Sequence, residues 1–300
     1  MRIAFIGSGA IGSLFGGLLR KEGFDCILIG RQNHTEAIKK NGLSISGIDN
    51  FNVKIDASSN HMDAKGSDVL VITTKAYDTK TALLDILPIL NDNMIVMSLQ
   101  NGAGNIEELL KFVDKERIIG AVTSMGAFLE APGRVQFRGK GTTIIGPITE
   151  KSNYAKDVVE IFNQAGIKAE LTKDIEGEIW SKVIINSAIN TLASIFEGEN
   201  GILLDCNLLE IVKEVTAEGK KILNRNGVDI PDNIFEKTTD VIQNTSKNIN
   251  STLSDLRKGN RTEIDYISGK IVEIANKFGI EAPYNKTLLS MVKYKENCQK

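Results

Sequence analysis

Short apolar runs alternate with amphipathic stretches through the first half of the chain. Residues 3–6, 26–29, 69–73, 94–99 and 117–122 are apolar runs of strand length. Segments 13–20, 36–40, 79–87 and 106–112 lie between them and carry helical spacing. That alternation predicts a parallel, doubly wound sheet. The pattern changes around 133–146. There Val135-Gln136-Phe137 and Thr143-Ile144-Ile145 flank Arg138-Gly139-Lys140-Gly141, which predicts a hairpin or paired strands near the sheet edge. Residues 152–164 predict one more helix and 167–171 a last strand. After about residue 173 strand signals stop. Segments 176–193, 205–226, 232–245 and 263–278 all read as helices, with Gly227 and Gly279 as stops and Pro231 and Pro283 as new starts. The expected architecture is an α/β N-terminal domain at 1–172, followed by an all-α domain at 173–300. An active site is expected in the cleft between them.

The first strand runs directly into Gly7-Ser8-Gly9-Ala10-Ile11-Gly12, and a helix follows. Strand, glycine turn and helix in the G-x-G-x-x-G register form the fingerprint of a Rossmann-type dinucleotide site. Gly7 permits the tight turn, Gly9 lets the backbone approach a pyrophosphate, and Gly12 lets the helix pack close to the strand. The helix N-terminus offers N–H groups and a positive dipole end to the phosphates. The second strand ends in Gly30-Arg31, where an NAD site would carry an acidic residue. A guanidinium can grip a 2′-phosphate that a carboxylate would repel, so NADP(H) is the expected cofactor. Thr73-Thr74-Lys75 and Gln100-Asn101-Gly102 follow two further strands, at the sheet end that borders the ligand crevice. Lys75 and Asn101 are candidates for cofactor contacts. A solvated loop lysine and an Asn-Gly turn are their plain structural alternatives.

Composition removes several other classes. The apolar fraction of 42% and charged fraction of 25% describe an ordinary folded domain rather than a disordered chain. A net charge of −2 supplies no field for nucleic acid. Cys26, Cys206 and Cys298 are too scattered for a C-x-x-C pair or a disulfide framework. His34 and His61 lack partners at metal-ligand spacing and are expected at the surface. No apolar run reaches the roughly 20 residues of a membrane span, and the N-terminus reads as a strand rather than a signal peptide. A cytoplasmic protein is expected.

The helical half carries its own signal. Lys182, Asn186 and Asn190 are spaced four apart, so they line one face of a helix, between Val183, Ile184, Ile185, Ala188, Ile189 and Leu192. A lysine and two amides on a mostly apolar helix suit a cleft wall that holds a small polar ligand. A narrow wetted face would give the same periodicity. Ser251 and Asp255 read as capping or cleft-lining residues. Thr262-Glu263 opens a helix, where Glu263 also suits the dipole.

Taken with the glycine turn, Gly30-Arg31, Thr74-Lys75, Gln100-Asn101-Gly102, the Lys182–Asn190 stripe, the Ser251-x3-Asp255 stretch and the run Arg261 to Tyr266, the chain resembles the ketopantoate reductase (2-dehydropantoate 2-reductase) family over essentially its whole length. The resemblance implies a Rossmann-type domain joined to a helical domain like the C-terminal part of 6-phosphogluconate dehydrogenase. It implies NADPH-dependent reduction of 2-dehydropantoate to pantoate, toward pantothenate and coenzyme A. It makes Lys182 the general acid and assigns Asn186, Asn190, Asn200, Ser251 and Asn101 to the substrate. Glu263 falls at the substrate–cofactor junction, and Gly7 to Gly12, Arg31, Lys75 and Asn101 fall on the cofactor. Two stretches depart from the family pattern. Residues 250–252 read Asn-Ser-Thr where Ser-Ser-Met is frequent, and 191–193 read Thr-Leu-Ala where Pro-Leu-Thr is usual. A reductase of another branched 2-oxo acid therefore stays open, as does a non-catalytic NADP(H)-binding sensor. A sensor would have no need of a lysine and two asparagines in register. The expected partner is a small 2-oxo acid, with no nucleic acid and no membrane. The helical half could bear a homodimer interface, but no segment marks one.

Overall fold

The computed structural model describes residues 1–149 and 154–298. The chain divides into two compact units. One comprises Met1–Gln100 and Asn105–Ile175; the other comprises Asn101–Gly104 and Glu176–Lys300.

The first unit runs β1 (Arg2–Ile6), α1 (Ala10–Lys21), β2 (Asp25–Ile29), α2 (Gln32–Asn41), β3 (Leu43–Gly47), β4 (Phe51–Val53), β5 (Asp56–Ser58), β6 (Val69–Ile72), α3 (Thr79–Ile86), β7 (Ile95–Ser98), α4 (Asn105–Leu109), β8 (Ile118–Thr123), β9 (Gly126–Ala131), β10 (Arg134–Gly139), β11 (Thr143–Pro147), α5 (Tyr154–Gln164) and β12 (Ala169–Leu171). Residues 152 and 153 of the expected helix 152–164 lie outside the described residues.

Among the described residues the main sheet has the order β12-β11-β8-β7-β6-β1-β2-β5. From β5 to β8 every pair is parallel. This is the doubly wound order 3-2-1-4-5-6 with β5 as third strand, and its switch point lies between β1 and β6. Alternate side chains of each strand enter different cores. Ile3, Phe5, Leu28, Val71 and Met97 pack on one face with α1 and α5. Ala4, Ile6, Ile27, Ile29, Leu70, Ile72 and Val96 pack on the other with α3 and α4. Burial on both faces is why these strands read as unbroken apolar runs.

The expected pairing of 135–137 with 143–145 is not what forms. β10 pairs antiparallel with β9 and parallel with β3, in a separate sheet ordered β4-β3-β10-β9. β11 instead pairs with β8 and β12 in the main sheet. Val135 and Phe137 face inward with Leu43 and Ile45, in the core they share with α1, and that burial decides the partner.

The second unit contains α6 (Ile175–Ile195), α7 (Cys206–Arg225), α8 (Ile234–Asn244), α9 (Ser251–Arg257), α10 (Ser268–Lys277) and α11 (Pro283–Cys298). Among the described residues no strand follows β12, and no helix is long and apolar enough to cross a membrane. α6 is the central helix. Val183 and Ile184 pack with Ile222 and Leu223 of α7 and Ile271 of α10. Ala188, Ile189 and Leu192 pack with Val212, Val215, Ile242 and Leu288. A helix with so many neighbours is apolar on most of its circumference.

The helix expected over 263–278 is broken. Glu263 precedes a single 3-10 turn at Ile264–Tyr266, and Ile267 departs from helical dihedrals before α10 begins. The Tyr266 carbonyl accepts a hydrogen bond from Ala103 N–H at 2.9 Å, so docking of the Asn101–Gly104 loop takes that carbonyl out of helical pairing. His34 is a second correction. It is 3% exposed rather than at the surface, because both ring nitrogens find partners inside the first unit.

Candidate active site

Within the second unit, α6 carries the polar stripe predicted from its spacing. Lys182 is partly buried, and its Nζ donates to Asn101 Oδ1 at 2.8 Å. Asn101 reaches it because Gly102 sits at φ +81°, a left-handed conformation, with no room for a side chain. A Cβ there would lie 2.7 Å from the Tyr266 carbonyl oxygen. Burial pushes the Lys182 ammonium down from 10.5 to about 8, while the nearby Glu263 carboxylate opposes that fall. Glu263 is itself buried. Asn101, Lys182 and Glu263 thus form one cluster drawn from three distant parts of the chain.

Asn186 and Asn190 follow on the same stripe. Asn190 is 5% exposed and Asn186 partly buried, and among the described residues neither amide has a side-chain hydrogen-bond partner. Two such amides beside an ammonium form a donor-rich surface suited to a small anion with a carbonyl. One turn further, Ser194 Oγ donates to Asn250 Oδ1 at 3.3 Å. Asn250 caps α9 by accepting from Leu253 N–H at 3.0 Å. Its amide group donates to Asn200 Oδ1 at 3.4 Å, and Asn200 Nδ2 donates to Thr245 Oγ1 at 3.0 Å. Asn200 is therefore engaged on both sides by the protein. Ser251 is exposed at the first position of α9. Sequence reasoning passed over Ser194 and Asn250. The signals were present: Ser194 continues the four-residue spacing, and Asn250 precedes a helix as an N-cap residue.

In the first unit, the glycine turn follows β1 as expected. A Cβ at Gly7, whose φ is +107°, would lie 2.5 Å from Thr74 N, and one at Gly12 would lie 2.4 Å from the Gly7 carbonyl oxygen. A Cβ at Gly9 would meet nothing within 4 Å, which leaves space for a phosphate. α1 has no side-chain cap at Gly9, so the N–H groups at its start are left to a ligand. Ser8 Oγ is buried without a partner among the described residues, an unmet polar group at the foot of the turn. These features fit a dinucleotide. Thr73 Oγ1 donates to the Gly7 carbonyl at 2.7 Å, fixing the end of β6 to this turn. Gln100 Nε2 donates to the Thr74 carbonyl at 3.0 Å and so holds the loop that carries Lys75. Arg31 is exposed at the N-cap of α2, and its side chain has no hydrogen bond or ion pair among the described residues. The residues that follow β2 in the chain are Gly30 and Arg31, neither of them acidic.

Residues 3–150 match the ketopantoate reductase PanE/ApbA family, and residues 174–296 match its C-terminal family. The 2-dehydropantoate 2-reductase of Pyrococcus horikoshii is 44% identical over 299 residues, which cover 99% of this chain and 98% of that one. A PanE/ApbA family ketopantoate reductase of Ralstonia eutropha superposes with a TM-score of 0.93 at 30% identity, over 100% of this chain and 99% of that one. D-mandelate dehydrogenase, in a ternary structure with NADH and anilino(oxo)acetate, superposes with a TM-score of 0.94 at 27% identity, over the same shares. With both halves matched and nearly the full length shared, the chain belongs to the ketopantoate reductase family and is an oxidoreductase.

Proposed function

We propose that the protein reduces 2-dehydropantoate to (R)-pantoate with NADPH, with Lys182 as the proton donor. The observation that carries this reading is the partly buried Lys182 ammonium held by Asn101 beside Glu263, with unpartnered amides at Asn186 and Asn190. When bound, the reduced nicotinamide supplies the hydride that goes to the C2 ketone carbon. Negative charge then gathers on the ketone oxygen. The Lys182 ammonium stabilises it and transfers one Nζ proton to it, giving the hydroxyl. Asn101 Oδ1 fixes Nζ in place, and the Glu263 carboxylate favours the charged form that the step consumes. Solvent returns the proton to the amine. Asn186 and Asn190 orient the 2-oxo acid, and Ser251 and Asn200 border the substrate side. Gly7 to Gly12 take the pyrophosphate, Arg31 the 2′-phosphate, and Lys75 and Asn101 the nicotinamide side. The reaction belongs to the cytoplasm and feeds pantothenate and coenzyme A synthesis.

A second reading has one specific support, the superposition on D-mandelate dehydrogenase with NADH. On that reading the chain reduces another 2-oxo acid and accepts NADH. One assay separates the two: oxidation of NADPH and NADH with 2-dehydropantoate and with a panel of branched and aryl 2-oxo acids. Preferred turnover of 2-dehydropantoate with NADPH supports the first reading. A much higher kcat/KM for another acid, or equal use of NADH, supports the second. Absence of turnover despite NADPH binding overturns both.

A further inference from the structure

His34 lies far in sequence from the residues discussed above, yet it ties two parts of the expected cofactor site together. Gly133 N–H donates to His34 Nδ1 at 3.0 Å. A backbone N–H can only donate, so Nδ1 is the unprotonated nitrogen and Nε2 carries the hydrogen. Nε2 lies 3.0 Å from Ser13 Oγ, which accepts that hydrogen. Ser13 Oγ in turn donates to the Ser8 carbonyl at 3.1 Å. The chain of bonds therefore runs from the β9–β10 turn, through α2, to the middle of the glycine turn. Every donor and acceptor in it has one consistent role. Burial holds the imidazole below its ordinary range and so favours the neutral form that this pattern requires.

The position of His34 gives the bonds their meaning. α2 starts immediately after Arg31, and the Arg31 carbonyl accepts from His34 N–H at 3.0 Å and Thr35 N–H at 3.1 Å. The ring is thus mounted one turn from the guanidinium-bearing residue. The glycine turn meets the end of β2 directly: Gly7 and Ser8 N–H both donate to the Ile29 carbonyl, and a Cβ at Gly30 would lie 1.8 Å from Ser8 Oγ. In a dinucleotide the 2′-phosphate and the pyrophosphate hang from one ribose, so the distance between them is set covalently. A protein that grips both groups must hold its two grips at a matching distance, and misplacement by about an ångström weakens the fit.

We propose that His34, acting through Ser13, is a positioning residue that sets Arg31 against the glycine turn and thereby determines preference for NADPH over NADH. This rests on the assignment of the 2′-phosphate to Arg31.

The test compares kcat and KM for NADPH and NADH in wild type, Arg31→Ala, His34→Asn, His34→Gln and Ser13→Ala, with thermal unfolding run on each. Asn can accept from Gly133 but cannot reach Ser13; Gln can donate to Ser13 but presents no acceptor at the Nδ1 position. The expected result is that His34→Asn and Ser13→Ala raise the KM for NADPH about tenfold, the worth of one charge-assisted contact, with little change for NADH or in kcat. His34→Gln restores most of the preference. A general loss of stability would weaken both cofactors alike, so the ratio separates positioning from folding. If Arg31→Ala lowers the ratio and neither Ser13→Ala nor His34→Asn does, the positioning role is overturned. If Arg31→Ala itself leaves the ratio unchanged, the 2′-phosphate assignment fails, and with it the basis for a role of His34 in preference. A ratio lowered equally in His34→Gln and His34→Asn would overturn the route through Ser13.

Discussion

Lys182 serves two opposed demands. Burial makes its proton easier to give up, and the same burial makes the folded chain carry an unfavourable charge. A fall from 10.5 to about 8 corresponds to roughly 3 kcal/mol of destabilisation while the ammonium is charged. Lys182→Met keeps the aliphatic stem and removes the charge. It should raise Tm by a few degrees at neutral pH while lowering kcat about 10²-fold or more, with NADPH still bound. Calorimetry and steady-state kinetics on the same preparation check both halves. The pH dependence follows from the direction of the shift. Between about 8 and 10.5 the unfolded chain holds the Lys182 proton that the folded chain has released, so stability from this group rises with pH across that window. The Tm advantage of Lys182→Met should therefore shrink as pH climbs from 8 toward 10. Catalysis moves the opposite way. Ketone reduction needs the charged form, so kcat/KM should fall about tenfold for each pH unit above about 8, and alcohol oxidation should rise. A flat profile from pH 7 to 10 would remove Lys182 as the proton donor.

The central helix α6 is held by close approach at one glycine of a neighbour. On α7, a Cβ at Gly219 would lie 3.1 Å from Ile184 Cγ1, on the turn next to Lys182. Gly219→Val brings two further methyl groups into that contact. It should cost about 2 kcal/mol by overpacking and lower kcat by shifting the Lys182 stripe. NADPH affinity should hold, because the glycine turn belongs to the other unit. Urea unfolding and fluorescence titration of NADPH would show whether the two effects separate in this way. Local pattern made most of these elements legible. The glycine turn is a steric requirement of six adjacent residues, and the Lys182 stripe is a spacing within one helix. Where the partner lies far along the chain, pattern was silent. Val135 and Phe137 give the same alternation whether they meet 143–145 or β3. His34 looks polar and exposed until Gly133 and Ser13 come to meet its ring. The break before α10 arises from a loop more than 160 residues upstream, which no local propensity records.

At the scale of the whole molecule, sequence order and structural unit do not coincide. Asn101–Gly104 lies between β7 and α4 in the chain, yet it belongs with the helices: Ala103 N–H donates to Tyr266, and Asn101 accepts from Lys182. Chimeras with a distant family member test what this means. A junction at 175/176 gives the foreign helical half its own Lys182 counterpart but this chain's Asn101. Carrying 101–104 along with the helical half should recover kcat lost at the simple junction, since the loop and the helical residues it packs on, Tyr266 and Lys182, then come from one parent. Equal activity of the two designs would show that the pair tolerates separation. For the history of such enzymes, the loop acts as a genetic staple. A gene fusion that set a helical module behind a pre-existing nucleotide-binding module would lack this contact on the day it formed. If the two chimera designs differ as expected, a recombination event that parts the halves keeps the site whole only by also moving four codons from the middle of one of them.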